Sequence, residues 1–223
     1  MIVKKQILTT CLLLLSAFSF AQQKFTEGVI VYDVTITGKI PTPANEPSMT
    51  ETKSGTLTIY LKEENIRQDI KLQDGYSHSR IGNYISGKEI ILQTINRLKY
   101  AIEISLKEQK KKNGDRYGAI IKDGKVVQTA NKFEATEAIA EYVKGNVFTF
   151  SYLKTYYINH SEIFENTPEL KGIPASYDVQ MSNGFTTHFE LKSITAEPVS
   201  NSTFKVPEGY RIISKKEYDK LLK

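Results

Sequence analysis

Two alternating runs separated by Asn183-Gly184 constrain this chain more than any other feature. Tyr177, Val179 and Met181 alternate with Asp178, Gln180 and Ser182 before the pair. Phe185, Thr187, Phe189 and Leu191 alternate with Thr186, His188, Glu190 and Lys192 after it. A period of two on both sides of Asn-Gly predicts a β-hairpin with a type I′ turn, because both turn residues tolerate positive φ. The hairpin sits within Leu170 to Tyr210, which closes on Phe204-Lys205-Val206-Pro207-Glu208-Gly209-Tyr210.

The same period recurs upstream. Phe25 to Gly38 reads as a first strand, with Ile30, Tyr32, Val34 and Ile36 on one face. Both of its faces are apolar at the start, which predicts cover on two sides. Gly55 to Leu72 reads as a hairpin turning at Glu63-Glu64-Asn65. Tyr76 to Ile85, Glu89 to Ile95 and Leu98 to Ile104 continue as a meander with short polar turns. Ala119 to Gln128 is read as a further hairpin around Asp123-Gly124. Val147 to Asn159 is strongly β in character, with Phe148, Phe150 and Tyr152 on one face and Tyr156 joining them if the strand stays regular.

Helical and irregular segments are fewer. Lys132 to Val143 is rich in Ala and Glu and is the best helix candidate. A rival reading makes Thr136 to Tyr142 a link into a strand. Lys215 to Lys223 predicts a short helix with Tyr218, Leu221 and Leu222 as its apolar stripe. Ile40 to Ser54 carries Pro41, Pro43 and Pro47 and no period, and reads as a lid loop or a disordered linker. Lys107 to Gly114 reads as a basic loop, either a solvated hairpin end or a contact for an anionic partner. Ser161 to Leu170 reads as a polar loop.

Lys4 and Lys5 precede an apolar run from Ile7 to Phe20, and Ser19-Phe20-Ala21 follows with small residues. This predicts a cleaved secretory signal, residues 1–21, rather than a membrane anchor, since a span needs about 20 apolar residues. The single cysteine, Cys11, lies inside that segment, so the mature chain 22–223 would fold as one domain without disulfides. Removing two lysines and no acid lowers the net charge from +5 to +3. Those charges are dispersed, which argues against nucleic-acid binding, as does export.

Catalytic patterns are missing from the sequence. His78, His160 and His188 share neither a strand face nor a helix turn, and zinc needs three or four converging ligands. There is no Gly-x-Ser-x-Gly elbow and no phosphate-binding Gly-x-x-x-x-Gly-Lys-Ser/Thr loop. Glu63 and Glu64 are adjacent in a turn and point apart, unlike the facing carboxylates of a glycosidase. The expectation is therefore no catalytic residue, no metal and no cofactor.

The opening FTEGVIVYDV, the middle YISGKEIILQTINRLKYAIEI, and the end GIPASYDVQ followed by a hairpin and FKVPEGYRII together resemble a group of secreted domains. These are similar to the periplasmic lipoprotein carrier LolA and its outer-membrane partner LolB. The most specific part is Gly172, Pro174, Phe204, Pro207, Gly209 and Tyr210. One departure is Glu141, where the group often has glycine before the tyrosine. The resemblance implies a mainly β (α+β) fold. It would be a strongly curved antiparallel sheet forming an incomplete barrel, with one or two covering helices. It also implies a non-catalytic exported protein whose concave face holds a lipid or an acylated protein, with peripheral contact to the envelope.

Phe148, Phe150, Tyr152, Tyr156, Phe185 and Phe189 are the candidate cavity lining. They would equally serve as plain core, and the two readings merge in a half-closed barrel. Two other functions stay open: a structural or protein-interaction module whose interior is filled by its own side chains, and an enzyme with an unrecognised site. An apolar cavity favours the first reading over the module. A His–carboxylate pair within hydrogen-bond reach in a cleft would favour the enzyme.

Overall fold

The computed structural model describes residues 22–40, 49–95, 97–181 and 183–221, the side chain of Ile40 excepted. The signal segment, Cys11, Pro41, Pro43, Pro47 and Leu222 lie outside these residues. Among the described residues fourteen strands occur: β1 (Gln23–Lys24), β2 (Glu27–Ile40), β3 (Met49–Lys62), β4 (Asn65–Leu72), β5 (Ser77–Asn83), β6 (Lys88–Ile95), β7 (Leu98–Ser105), β8 (Ile120–Gln128), β9 (Glu134–Glu141), β10 (Val147–Leu153), β11 (Tyr156–Tyr157), β12 (Ile173–Gln180), β13 (Thr186–Thr195) and β14 (Arg211–Ser214). Among the same residues the α-helices are α1 (Leu106–Lys112) and α2 (Lys215–Leu221), with short 3-10 turns at Gly114–Arg116, Ser161–Ile163 and Asn201–Phe204.

Twelve strands form one sheet in the order β14-β7-β6-β5-β4-β3-β2-β13-β12-β10-β9-β8. Every pairing in it is antiparallel except β14 with β7. The sheet is not closed: β14 and β8 are its edges. It nevertheless curls. Strands lie about 4.8 Å apart, so β5 and β10, six places apart in the order, would be nearly 30 Å apart if flat. Yet residues of both line a single cavity. The molecule is thus mainly β, with a bent sheet of incomplete-barrel form.

Register explains the inner wall. Ile30 pairs with Ile59 and Tyr32 with Leu57, so the even positions of β2 and the odd ones of β3 face inward together. Ile30, Tyr32, Ile59 and Leu191 are fully buried there. The Tyr32 hydroxyl donates to the Pro174 carbonyl at 2.8 Å, which satisfies its one polar atom inside the core. The outer face carries a second apolar cluster. Ile81, Leu92 and Ala101 are covered by Phe204, Val206 and Tyr210 as the tail crosses to place β14 beside β7. That is cover on a second side at β5–β7, whereas at the start of β2, where the sequence predicts it, Val29 and Val31 on the outer face are only half-buried.

Several local expectations are corrected. Lys132 to Val143 is not a helix: β9 pairs with β8 and β10 along its length, so Ala135, Ala138 and Ala140 bury against neighbouring strands. Tertiary pairing overrides the Ala-Glu propensity. The basic loop is α1, which has no buried residue and hence no apolar period to read. Ala119–Gln128 is one strand with an irregularity between Asp123 and Val126, not a hairpin. Met49–Ser54, expected as lid or linker, lies in β3 paired with the end of β2. Around Asn183-Gly184 the hairpin stands, but its loop is wider than a two-residue turn. Gln180 pairs with Thr186, Met181 N–H donates to the Phe185 carbonyl, and Gly184 takes φ of 82°. In α2, Tyr218 packs inward while Leu221 is exposed.

Candidate functional site: a cavity on the concave face

The sheet's inner wall is not filled throughout. A cavity of about 400 Å³ opens on the concave face, within the size range of small-molecule sites. Its apolar wall comes from successive strands. Val34 and Ile36 stand on β2, Leu57 and Ile59 on β3, and Val179 and Phe189 on β12 and β13. Each occupies an inward position fixed by register. Exposed Tyr76 and Met181 mark the mouth.

The segment expected as a polar loop, Ser161 to Leu170, supplies the floor. It begins with a 3-10 turn at Ser161–Ile163 and buries Ile163, Phe164 and Leu170. The Ser161 hydroxyl donates to the Pro168 carbonyl at 2.6 Å, which folds the segment on itself. Gln68 of β4 donates from Nε2 to the Ile163 carbonyl at 3.2 Å and ties it to the sheet.

A polar group stands where the sheet's two arms face each other. Arg80 of β5 pairs with Glu89 of β6 and with Glu165 of the floor segment, and its Nη2 donates to Gln109 Oε1 of α1 at 3.2 Å. Arg116, from the connection between α1 and β8, donates from Nη1 to the Glu165 carbonyl at 3.1 Å. Arg80, Arg116 and Glu165 all line the cavity, as does His78. The carboxylates hold the Arg80 guanidinium charged against the cost of burial. Burial first, and the Arg80 charge second, push the His78 imidazole below its usual 6.5. His78 is therefore neutral at pH 7.

This has a pH consequence. Between the lowered folded pKa and 6.5 the unfolded chain binds a proton that the folded chain does not. Stability thus falls as pH drops below about 6.5 and stops falling, for this group, once the folded pKa is passed. His78→Gln should shrink the difference in urea midpoint between pH 7 and pH 5.5. An unchanged difference would remove His78 from the account.

The six candidate residues separate. Phe148 and Phe189 line the cavity. Phe150 and Tyr152 share the face of Phe148 but are buried with Ala138, Ala140 and Leu170, as core. The Tyr152 hydroxyl donates to Asp123 Oδ1 at 2.8 Å. Tyr156 leaves that face, because the strand ends at Leu153. It pairs instead with Gln23 in a separate two-stranded sheet and meets Phe25 edge-on at 6.3 Å. Phe185 lies over Gly38 at the hairpin end, outside the cavity lining; a Cβ on Gly38 would fall 2.3 Å from its ring. Tyr177, flagged only as part of the hairpin pattern, links the groups: it stacks on Phe189 at 4.8 Å and meets Phe148 at 6.1 Å.

Sequence reading missed His78, Arg80, Arg116, Ile163 and Phe164. A usable signal existed for Arg80: Ile81 and Arg80 must face opposite ways, and the apolar tail at Phe204 to Tyr210 needed an outer apolar surface to cover.

The other two histidines also have partners, His188 while exposed on the sheet surface and His160 while half-buried. His160 stacks on Tyr84 at 4.4 Å and pairs with Glu64. His188 Nδ1 lies 2.7 Å from Asp178 Oδ1 beside an outer-face groove. Asp178 and His188 are direct cross-strand neighbours and both are well exposed. That is an ordinary polar pair of a sheet surface. Among the described residues no group of three or more His, Cys, Asp or Glu is placed to hold a metal ion. Among the same residues no helix is long and apolar enough to cross a membrane.

Compared with known proteins, the chain matches no family model and no curated sequence.

Proposed function

We propose that this is an exported, non-catalytic protein that holds a hydrophobic or lipid-like ligand, or the acyl chain of a lipidated partner, on its concave sheet. The cavity of about 400 Å³ behind Val34, Ile36, Leu57 and Phe189 is the observation that supports the reading. A module that needed only a stable interior gains by filling such space, since each buried apolar side chain contributes about 1.5–3 kcal/mol. The resemblance to LolA-like carriers points the same way, as does the signal-like segment at residues 1–21.

Two measurements test it. Protein purified from the exported fraction should release acyl lipid on organic extraction. The same protein should bind the neutral apolar dye N-phenyl-1-naphthylamine with a blue shift. Protein that carries no lipid and gives no dye shift would refute the proposal. A third test places an indole in the space. Val179→Trp, on β12 at the cavity wall, should weaken dye binding at least tenfold, about 1.4 kcal/mol. It should not lower the melting temperature, because the ring fills existing volume rather than displacing core. Dye binding that survives unchanged places the dye elsewhere.

A further inference from the structure

We infer that the cavity's ligand is a single-chain amphiphile with an anionic headgroup, a carboxylate or a phosphate, seated against Arg116 beside Arg80. The inference rests on the ligand-holding function proposed above. The lining is two-sided in chemistry. Val34, Leu57, Ile59 and Phe189 offer one kind of surface; Arg80, Arg116 and His78 offer the other. A purely apolar ligand would leave guanidinium groups facing hydrocarbon without water, which is costly.

The two arginines differ in what holds them. Arg80 is engaged by two carboxylates and one amide. Arg116 donates to a backbone carbonyl and, among the described residues, makes no ion pair. A guanidinium carries five N–H donors in a fork that matches carboxylate and phosphate. Arg116 therefore keeps donors for an incoming anion. Glu165 holds the two groups at one place, since its carboxylate meets Arg80 and its carbonyl accepts from Arg116. Its carboxylate competes with any ligand anion there. Neutral His78 adds a donor or acceptor on the same side without adding charge.

The probes are palmitate, 1-palmitoyl lysophosphatidate and the neutral 1-palmitoylglycerol, each displacing N-phenyl-1-naphthylamine from the full mature chain. The wild type should bind at least one of the two anions tenfold or more tighter than the neutral glyceride. Preference for palmitate identifies a fatty acid, and preference for the phosphate identifies a lysophospholipid. Arg116→Gln should abolish the preference, each competitor being read against the variant's own dye-binding curve. Glu165→Gln, which removes the competing carboxylate, should tighten the anions severalfold relative to the glyceride. Equal binding of anions and glyceride by the wild type, or a preference that survives Arg116→Gln, overturns the inference while dye binding keeps the parent reading intact. Failure of the dye itself to bind removes the parent reading instead.

Discussion

Arg80→Ala should destabilise the protein by about 3 kcal/mol or more, read as a drop in urea midpoint at constant slope. The magnitude follows from what the variant leaves behind. Glu89 is almost fully buried, and its Oε2 already lacks a hydrogen-bond partner among the described residues. Its other oxygen depends on Arg80. Without the guanidinium, a carboxylate stands inside the sheet with no compensating charge, and removing one member of a buried pair typically costs about 3–5 kcal/mol. Solvent reaches Glu165 more freely, so its share is smaller. The prediction separates charge from packing. Arg80→Met/Glu89→Leu removes both partners and should recover most of the loss, because a buried pair often stabilises no better than apolar residues of similar volume. If the double variant is as unstable as Arg80→Ala, the loss comes from the shape of the arginine stem rather than from the orphaned carboxylate.

Arg80 also shows why half of the site was legible. Phe148 and Phe189 were visible because each sits in a run with period two, and that period reports directly which side chains share a face. The meander β3–β7 and the hairpin β12–β13 were readable for the same reason. In the polar half, Arg116 and Glu165 have no such signal, and that of Arg80 is indirect. Arg80, Arg116 and Glu165 lie on β5, on a connection and on the floor segment, and only the curl of the sheet brings them together. Where the reading failed, a local rule was overridden. β9 has helix-forming residues but is sandwiched between β8 and β10. In α1 every residue is at least partly exposed, so its helix carries no hydrophobic stripe. Tyr156 was placed with Phe148 by counting in twos, and counting fails once the strand stops at Leu153.

Crowding at a strand position without a side chain sets the second large effect, and Gly55→Ala is expected to cost about 3 kcal/mol. Gly55 lies within β3, paired with Val34 on one side and Leu72 on the other. A Cβ there would stand 2.1 Å from the Lys71 carbonyl oxygen and 2.8 Å from the Leu72 Cα. Both are backbone atoms of a paired strand, so neither can swing aside as a side-chain tip could. Glycine inside a strand commonly marks such a close approach or a bend. An opposing effect exists: alanine restricts the unfolded chain and would stabilise by about 0.4–1 kcal/mol at a position without strain. The clash outweighs it. Gly82→Ala on β5 is the control, because a Cβ there would meet only Tyr84, at 3.9 Å, and its stability should move by about 0.5 kcal/mol at most. Two residues along from Gly55, Leu57 faces the cavity. Gly55→Ala should therefore also weaken dye binding under conditions where the variant is still folded, whereas Gly82→Ala should not. If the two variants behave alike in urea, β3 does not approach β4 this closely.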